Sequence, residues 1–150
     1  MSSEWEKALE EIQRELWADY SETVIDHARN PRNVGSIPDA DGFGRVTGPC
    51  GDTMEIWLKV KDGVIGDARF WTDGCGTTIA AASMITEMAK GKQVAKASRI
   101  SQKNVLDALG GLPEESEHCA LLASDTLREA VKDYLAYRNE PWKRAYRKRE

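Results

Sequence analysis

Residues 53–61, Thr-Met-Glu-Ile-Trp-Leu-Lys-Val-Lys, place Met54, Ile56, Leu58 and Val60 on one face of an extended chain and Glu55, Trp57, Lys59 and Lys61 on the other. A strict period of two scatters around a helix but segregates cleanly on a strand, so this segment is a half-buried strand. Asp62-Gly63 follows, a pair suited to the positive φ angles of a two-residue hairpin turn, and Val64 to Trp71 returns as the antiparallel partner. Phe43 to Thr47 supplies a third strand. Trp57 and Trp71 fall on the nominally polar faces, so a second layer, helices or a partner protein, is expected over part of that side.

The remaining periodicity is helical. Ser3-Glu4-Trp5-Glu6 has the form of a capping box, and Trp5, Leu9, Ile12 and Leu16 mark one apolar face, which predicts a helix from about residue 4 to Asp19. A short helix over Ser21 to Arg29 is stopped by Asn30-Pro31, and Asn30 to Gly42 is a loop. Thr77 to Lys90 is a helix closed by Gly91, and Ser101 to Leu109 is another, ended by Gly110-Gly111. The longest helix is expected from about Ser116 to Asn139, before Pro141. Strands precede most of the helices, so the fold class is α+β: a small antiparallel sheet of about three strands packed with helices, a long C-terminal helix and an additional N-terminal helix. No Rossmann or P-loop glycine pattern and no internal repeat is present.

With 150 residues, 41% hydrophobic and 31% charged, the chain falls in the globular class and is sized for one domain. The net charge of -4 averages two unlike parts: 138–150 carries +4, leaving -8 on the rest. An acidic body argues against nucleic-acid binding, and the basic tail, with no recognition motif, is expected to be a solvated helix end or a frayed tail. The most apolar run, Ile79 to Met88, is interrupted by Ser83, Thr86 and Glu87 and falls short of the roughly 20 residues a bilayer requires, so no membrane partner is expected. The N-terminus lacks a basic segment followed by an apolar one, so no secretory signal is expected and the location is expected to be cytoplasmic and reducing. Three cysteines, an odd count, cannot close a disulfide framework.

Those cysteines occupy special settings. Cys50 lies in Gly48-Pro49-Cys50-Gly51-Asp52, before the first clear strand, and Cys75 lies in Gly74-Cys75-Gly76, between a strand and a helix N-terminus. Cys119 follows His118 in the first turn of the long helix. None resembles a core position. Orphan N–H groups and the helix dipole stabilise a thiolate, so Cys75 and Cys119 are expected to titrate below a free cysteine's value of about 8.5, with Cys119 near the surface and reachable. Cys50, Asp52, Cys75, His118 and Cys119 together offer three soft thiolates, one imidazole and one hard oxygen, a set suited to zinc, ferrous iron or an iron-sulfur cluster. The bland alternative is three scattered cysteines used as buried filler.

From Tyr20 to about Tyr137 the sequence resembles the IscU family of iron-sulfur cluster assembly scaffolds, related to the N-terminal domain of NifU. The motifs carrying the resemblance are 20–27 (Tyr20 to His27), Asn30-Pro31-Arg32-Asn33-Val34-Gly35, Cys50-Gly51-Asp52, Asp67-Ala68-Arg69-Phe70, Gly74-Cys75-Gly76 and His118-Cys119. This divides the chain into an N-terminal helical extension (1–19), a scaffold domain (20–137) and a basic tail (138–150). The resemblance implies cysteines gathered at one end of the sheet, with Cys50, Cys75 and Cys119 binding a 2Fe-2S cluster, Asp52 binding iron and tuning cluster lability, and His118 beside them. It also implies Cys119 as the acceptor of persulfide sulfur from a cysteine desulfurase, ferrous iron as the other input, apo iron-sulfur proteins as recipients, and ferredoxin or frataxin-like helpers. The role is that of a scaffold and carrier rather than an enzyme.

The chain departs from the family at Leu112-Pro113-Glu114-Glu115-Ser116, where members served by a dedicated Hsp70 chaperone carry Leu-Pro-Pro-Val-Lys, so recognition by that chaperone is not implied. His118 favours the IscU branch over the zinc-dependent SufU branch, which has lysine there. A zinc-binding structural or regulatory module is the alternative reading, since zinc uses the same donors, with zinc also able to hold the cluster-free form. A cysteine enzyme with His118 as base to Cys119 is weak, because neighbouring helical side chains diverge by about 100°. The apolar face of the first helix is a candidate homodimer surface, its alternative being packing on its own domain.

Overall fold

The computed structural model describes residues 3–16 and 18–146. Three strands, β1 (Gly42–Thr47), β2 (Thr53–Lys61) and β3 (Val64–Thr72), form one antiparallel sheet in the order β1-β2-β3. Asp62 (φ 54°) and Gly63 (φ 75°) make the expected positive-φ turn between β2 and β3. Six α-helices accompany the sheet: α1 (Glu4–Leu16), α2 (Glu22–Arg29), α3 (Gly76–Ala89), α4 (Val94–Ala97), α5 (Gln102–Leu109) and α6 (Glu117–Tyr137). Short 3-10 turns cover Glu114–Ser116 and Pro141–Tyr146. The four-residue α4 and both 3-10 turns were not expected from periodicity, since segments that short have none.

Local chemistry explains most of the boundaries. Ser3 and Glu6 form the capping box of α1, Ser21 caps α2 by accepting from the Val24 N–H at 3.1 Å, and Ser101 with Asn104 boxes α5. Gly91 and Gly110 take left-handed φ angles of 82° and 79° after α3 and α5. Helix α1 stops at Leu16 rather than Asp19, and α6 runs from Glu117 to Tyr137 rather than from Ser116 to Asn139, the residue-scale differences normal for helix ends. Trp17, which falls in the expected first helix, and 147–150 of the basic tail lie outside the described residues.

The core lies between one face of the sheet and the helices. Met54, Ile56, Leu58, Ile65, Ala68 and Phe70 are buried against α3 and α6, which pack on β3 and on β1 and β2 respectively. The contact of α6 with β1 is unusually close: a Cβ on Gly44 would lie 2.5 Å from the Ala130 nitrogen and 2.5 Å from the Thr126 oxygen. On the opposite face, Trp57 is half-buried against Phe43, with ring centroids 5.3 Å apart, but Trp71 remains 45% exposed. The expected second layer is therefore limited to the loop residues Ile37, Pro38 and Ala40 beside Trp57. The α1 face stays open as well, with Trp5 67% and Ile12 52% exposed, so that face does not pack on its own domain.

His27 is buried, and its Nδ1 lies 2.8 Å from the Ser83 hydroxyl, which also accepts from the Arg32 N–H at 2.9 Å. This ties the Asn30 to Gly35 loop to α3. Burial, aided by the Arg32 charge, pushes its imidazole below its ordinary value.

Because the atoms facing Gly44 are backbone and cannot rotate away, Gly44→Ala should lower unfolding free energy by about 2–3 kcal/mol through overpacking. Urea denaturation checks this, the expected result being a lower midpoint with an unchanged slope.

Candidate metal and sulfur site

Three chain junctions meet at one end of the sheet. The first is the β1–β2 loop, a tight turn in which the Gly51 N–H donates to Gly48 O (3.0 Å) and the Gly48 N–H to Asp52 O (2.8 Å), carrying Cys50 and Asp52. The second is the β3–α3 junction, fixed to β2 when Asp73 accepts from the Thr53 N–H at 2.8 Å and Thr72 donates to the Thr53 carbonyl at 2.7 Å. It delivers Cys75 as the N-cap residue of α3. The third is the first turn of α6, held by Gln102 donating to the Glu117 carbonyl at 3.0 Å and bearing His118 and Cys119.

All five residues singled out from the sequence belong to one hydrogen-bonded group. Cys50 Sγ is 3.2 Å from His118 Nε2, and Cys119 Sγ is 3.8 Å from the same nitrogen. Thr77 Oγ1 lies 3.1 Å from Cys75 Sγ and 3.4 Å from Cys119 Sγ, bridging the two thiols. Thr78 Oγ1 donates to Asp52 Oδ2 at 3.2 Å and lies 3.4 Å from Cys119 Sγ. Among the described residues no three Cys, His, Asp or Glu groups close directly around a metal-sized point, because these hydroxyls stand between them.

Thr77 and Thr78 were missed by sequence reasoning. The available signal was two hydroxyl residues directly after Gly74-Cys75-Gly76, in the turn where a helix has spare N–H groups. Gly74 belongs to the same construction: a Cβ there would fall 2.6 Å from the Thr78 Cβ, so glycine makes room for the threonine that reaches Asp52 and Cys119.

The thiols are not equivalent. Cys50 and Cys75 are exposed, whereas Cys119 is 2% exposed and part of the hydrophobic core. Burial works to raise the Cys75 thiol, but the Thr77 hydroxyl, the N–H groups of Thr78 and Thr77, and the Thr78 hydroxyl outweigh it and hold the group below its ordinary value. Burial pushes the Cys119 thiol up; the two hydroxyls oppose this, and negative charge on Cys75 and Asp52 adds to the upward push. The expectation of a reachable, low-pKa Cys119 is thus corrected. Its place in the first turn is as expected, but its side chain points inward beneath the start of α3, where desolvation exceeds the benefit of the helix end. His118 Nε2 lies closer to Cys50 Sγ than to Cys119 Sγ, although the latter, at 3.8 Å, is within reach of the imidazole.

The model of the NifU-like N terminal domain family matches residues 19–141, most of the chain. The chain belongs to this family. Among its relatives, iron-sulfur cluster assembly scaffold protein IscU 1 of Archaeoglobus fulgidus is 55% identical over 116 residues, covering 77% of this chain and 76% of that protein. Scaffold protein IscU of Escherichia coli K12 is 47% identical over 124 residues, covering 79% of this chain and 96% of that one. The crystal structure of a NifU-like protein (N-terminal) from Brucella abortus superposes with a TM-score of 0.64 at 20% identity, covering 81% of this chain and 97% of that one, a likeness of fold. The α+β architecture expected from the sequence is therefore the architecture of the family.

Iodoacetamide alkylation mapped by peptide mass spectrometry should label Cys75 at lower pH than Cys119. Thr77→Val should slow Cys75 labelling at pH 7 about three- to tenfold by removing a donor to the thiolate; an unchanged rate would count against that role for the hydroxyl.

Proposed function

We propose that this protein is an iron-sulfur cluster assembly scaffold, which accepts sulfur and iron, assembles a transient 2Fe-2S cluster and hands it to apo iron-sulfur proteins. The observation carrying this reading is the meeting of Cys50, Asp52, Cys75, His118 and Cys119 at one end of the sheet, in a chain 55% identical to a protein named as such a scaffold. The cluster is cargo. Cys50, Cys75 and Cys119 supply thiolates to it, and the fourth position falls to Asp52 or His118. An exposed Cys50 and Cys75 suit transfer, since their side chains turn toward incoming iron without disturbing the core. Asp52 is a harder donor than a thiolate and leaves one corner exchangeable.

Sulfur arrives as persulfide from a cysteine desulfurase, with Cys119 as the acceptor. Its burial requires that the Cys50 loop and His118 swing aside when the donor docks, exposing a thiol that is otherwise protected. Ferredoxin or frataxin-like helpers assist in a cytoplasmic, reducing setting, and zinc occupies the same donors in the cluster-free form. No helix among the described residues is long and apolar enough to cross a membrane. The protein carries its cargo and releases it, without turning over a substrate.

Anaerobic reconstitution with ferrous iron and sulfide should give visible charge-transfer absorption that is lost in Cys→Ser variants at each of the three positions. Asp52→Ala should lengthen the cluster's lifetime by about an order of magnitude, as the exchangeable corner passes from the hard carboxylate to His118. A colourless, stable zinc form that refuses iron would sink the scaffold reading and favour a zinc module.

The exposed α1 face is proposed as a homodimer surface. Sedimentation should then show a dimer that Leu9→Glu together with Ile12→Glu converts to monomer, and an unchanged distribution would remove α1 from consideration.

A further inference from the structure

The two edges of the sheet are finished differently. Along β3 the outward groups of two residues are taken by neighbouring backbone: Phe70 N–H donates to Asn33 O and Gly35 N–H to Phe70 O, both at 2.9 Å. Farther along, Ile65 N–H donates to Lys92 O at 2.9 Å and Gly91 N–H to Ile65 O at 2.7 Å. Along β1, Gly42, Gly44 and Val46 face Leu58, Ile56 and Met54, the pairs that share hydrogen bonds with β2 and continue the Gly48 to Asp52 bond. The N–H and C=O groups of Phe43, Arg45 and Thr47 therefore point away from the sheet. The Phe43 N–H is capped by the Asp133 carboxylate at 2.9 Å, but those of Arg45 and Thr47 have no partner among the described residues. An unblocked edge is a template for another strand, which proteins usually guard with proline, lysine, a bulge or a covering segment. Residues 45–47 carry no proline, lysine or bulge and, among the described residues, no covering segment; their one charge is Arg45.

The open stretch is flanked on both sides. Below it, a cleft of about 590 Å³ runs between 45–47 and Asp125, Arg128, Glu129 and Lys132 of α6. Above it, a hollow of about 260 Å³ is walled by Phe43, Trp57, Ile37 and Glu55, and Arg45 borders both spaces. In the cleft Arg128 pairs with Asp125 at 3.2 Å and Lys132 with Glu129 at 3.3 Å, whereas Arg45 has no ion pair among the described residues. A strand laid along β1 would set one side chain beside Phe43 and the next-but-one beside Arg45, both on the outer face.

We propose that the free edge of β1 docks an extended segment of a partner protein bearing an apolar and an acidic side chain two residues apart. Backbone pairing at Arg45 and Thr47 supplies affinity, and the aromatic hollow with the Arg45 guanidinium, which makes no ion pair among the described residues although Glu55 lies across from it on β2, supplies selection. Because β1 runs directly into the Cys50 loop, the partner is held next to the three cysteines. The inference concerns the cluster-free protein and stands independently of the scaffold reading.

The test uses the cluster-free protein and an end-blocked peptide, Ser-Thr-Asp-Thr-Phe-Thr-Ser, which pairs antiparallel to β1 with its aspartate across from Arg45 and its phenylalanine across from Phe43, and amide exchange is followed by NMR. Saturable binding should slow exchange at the Arg45 and Thr47 amides about tenfold or more, as new hydrogen bonds protect them. N-methylation of the Phe and Asp amides, which face β1, should abolish this, while N-methylation of the intervening Thr should not. Arg45→Glu, an exposed change, should weaken the peptide about fivefold or more and be rescued by lysine in place of its aspartate. The proposal is overturned by unprotected Arg45 and Thr47 amides at saturating peptide, or by equal binding of both methylated peptides. It is equally overturned if those amides are already protected in a dimer seen by sedimentation, since a second copy then occupies the edge.

Discussion

Helix α6 lies directly on β1 with no side chain between the backbones at Gly44, and that close approach sets the height of the longest helix above the sheet. Cys119 sits seven residues before Thr126, about two turns up the same helix. Fixing Thr126 and Ala130 against β1 therefore fixes where the His118–Cys119 turn arrives relative to the β1–β2 loop and the start of α3. A side chain at Gly44 would lift α6 and separate the thiols, even though Gly44 touches none of them. The glycine at 74 works on a smaller scale, letting Thr78 settle where its hydroxyl meets both Asp52 and Cys119.

The site that results shifts its two thiols in opposite directions. Cys75 sits at a helix start with hydroxyl and amide donors around it, which favours thiolate, while Cys119 is taken out of water, which favours thiol. The same two threonine hydroxyls touch both sulfurs, so the contrast comes from the deeper burial of Cys119, from the Thr77 and Thr78 N–H groups that reach Cys75 alone, and from the negative charge of Cys75 and Asp52 beside Cys119. A more acidic, exposed thiol beside a less acidic, shielded one gives the site two sulfurs of unlike reactivity.

Much of this was legible in the chain. The alternation over Thr53 to Lys61, the Asp62-Gly63 turn and the serine caps are local, so strands β2 and β3 and helices α2, α3 and α5 emerged close to their observed limits. The five site residues were identifiable because cysteines flanked by glycine or histidine are unusual for core filler, and the structure joins them in one network. Thr77 and Thr78 were not, since threonine is common in helices and nothing local shows which sulfur a hydroxyl will meet. Cys119 was placed correctly in its helix and wrongly in its surroundings.

The sequence by itself determined element type and order, because hydrophobic period, caps and turn residues act over a few positions along the chain. Tertiary structure alone decided which cysteine is buried and which is exposed, how the threonines bridge them, and which sheet edge stays open. Those outcomes depend on what lies across a gap in space: α3 over Cys119, the Asn33 to Gly35 loop along β3, and, among the described residues, no backbone paired along Arg45 to Thr47. Desolvation and edge pairing are properties of such neighbours, which a single strand or helix does not carry with it.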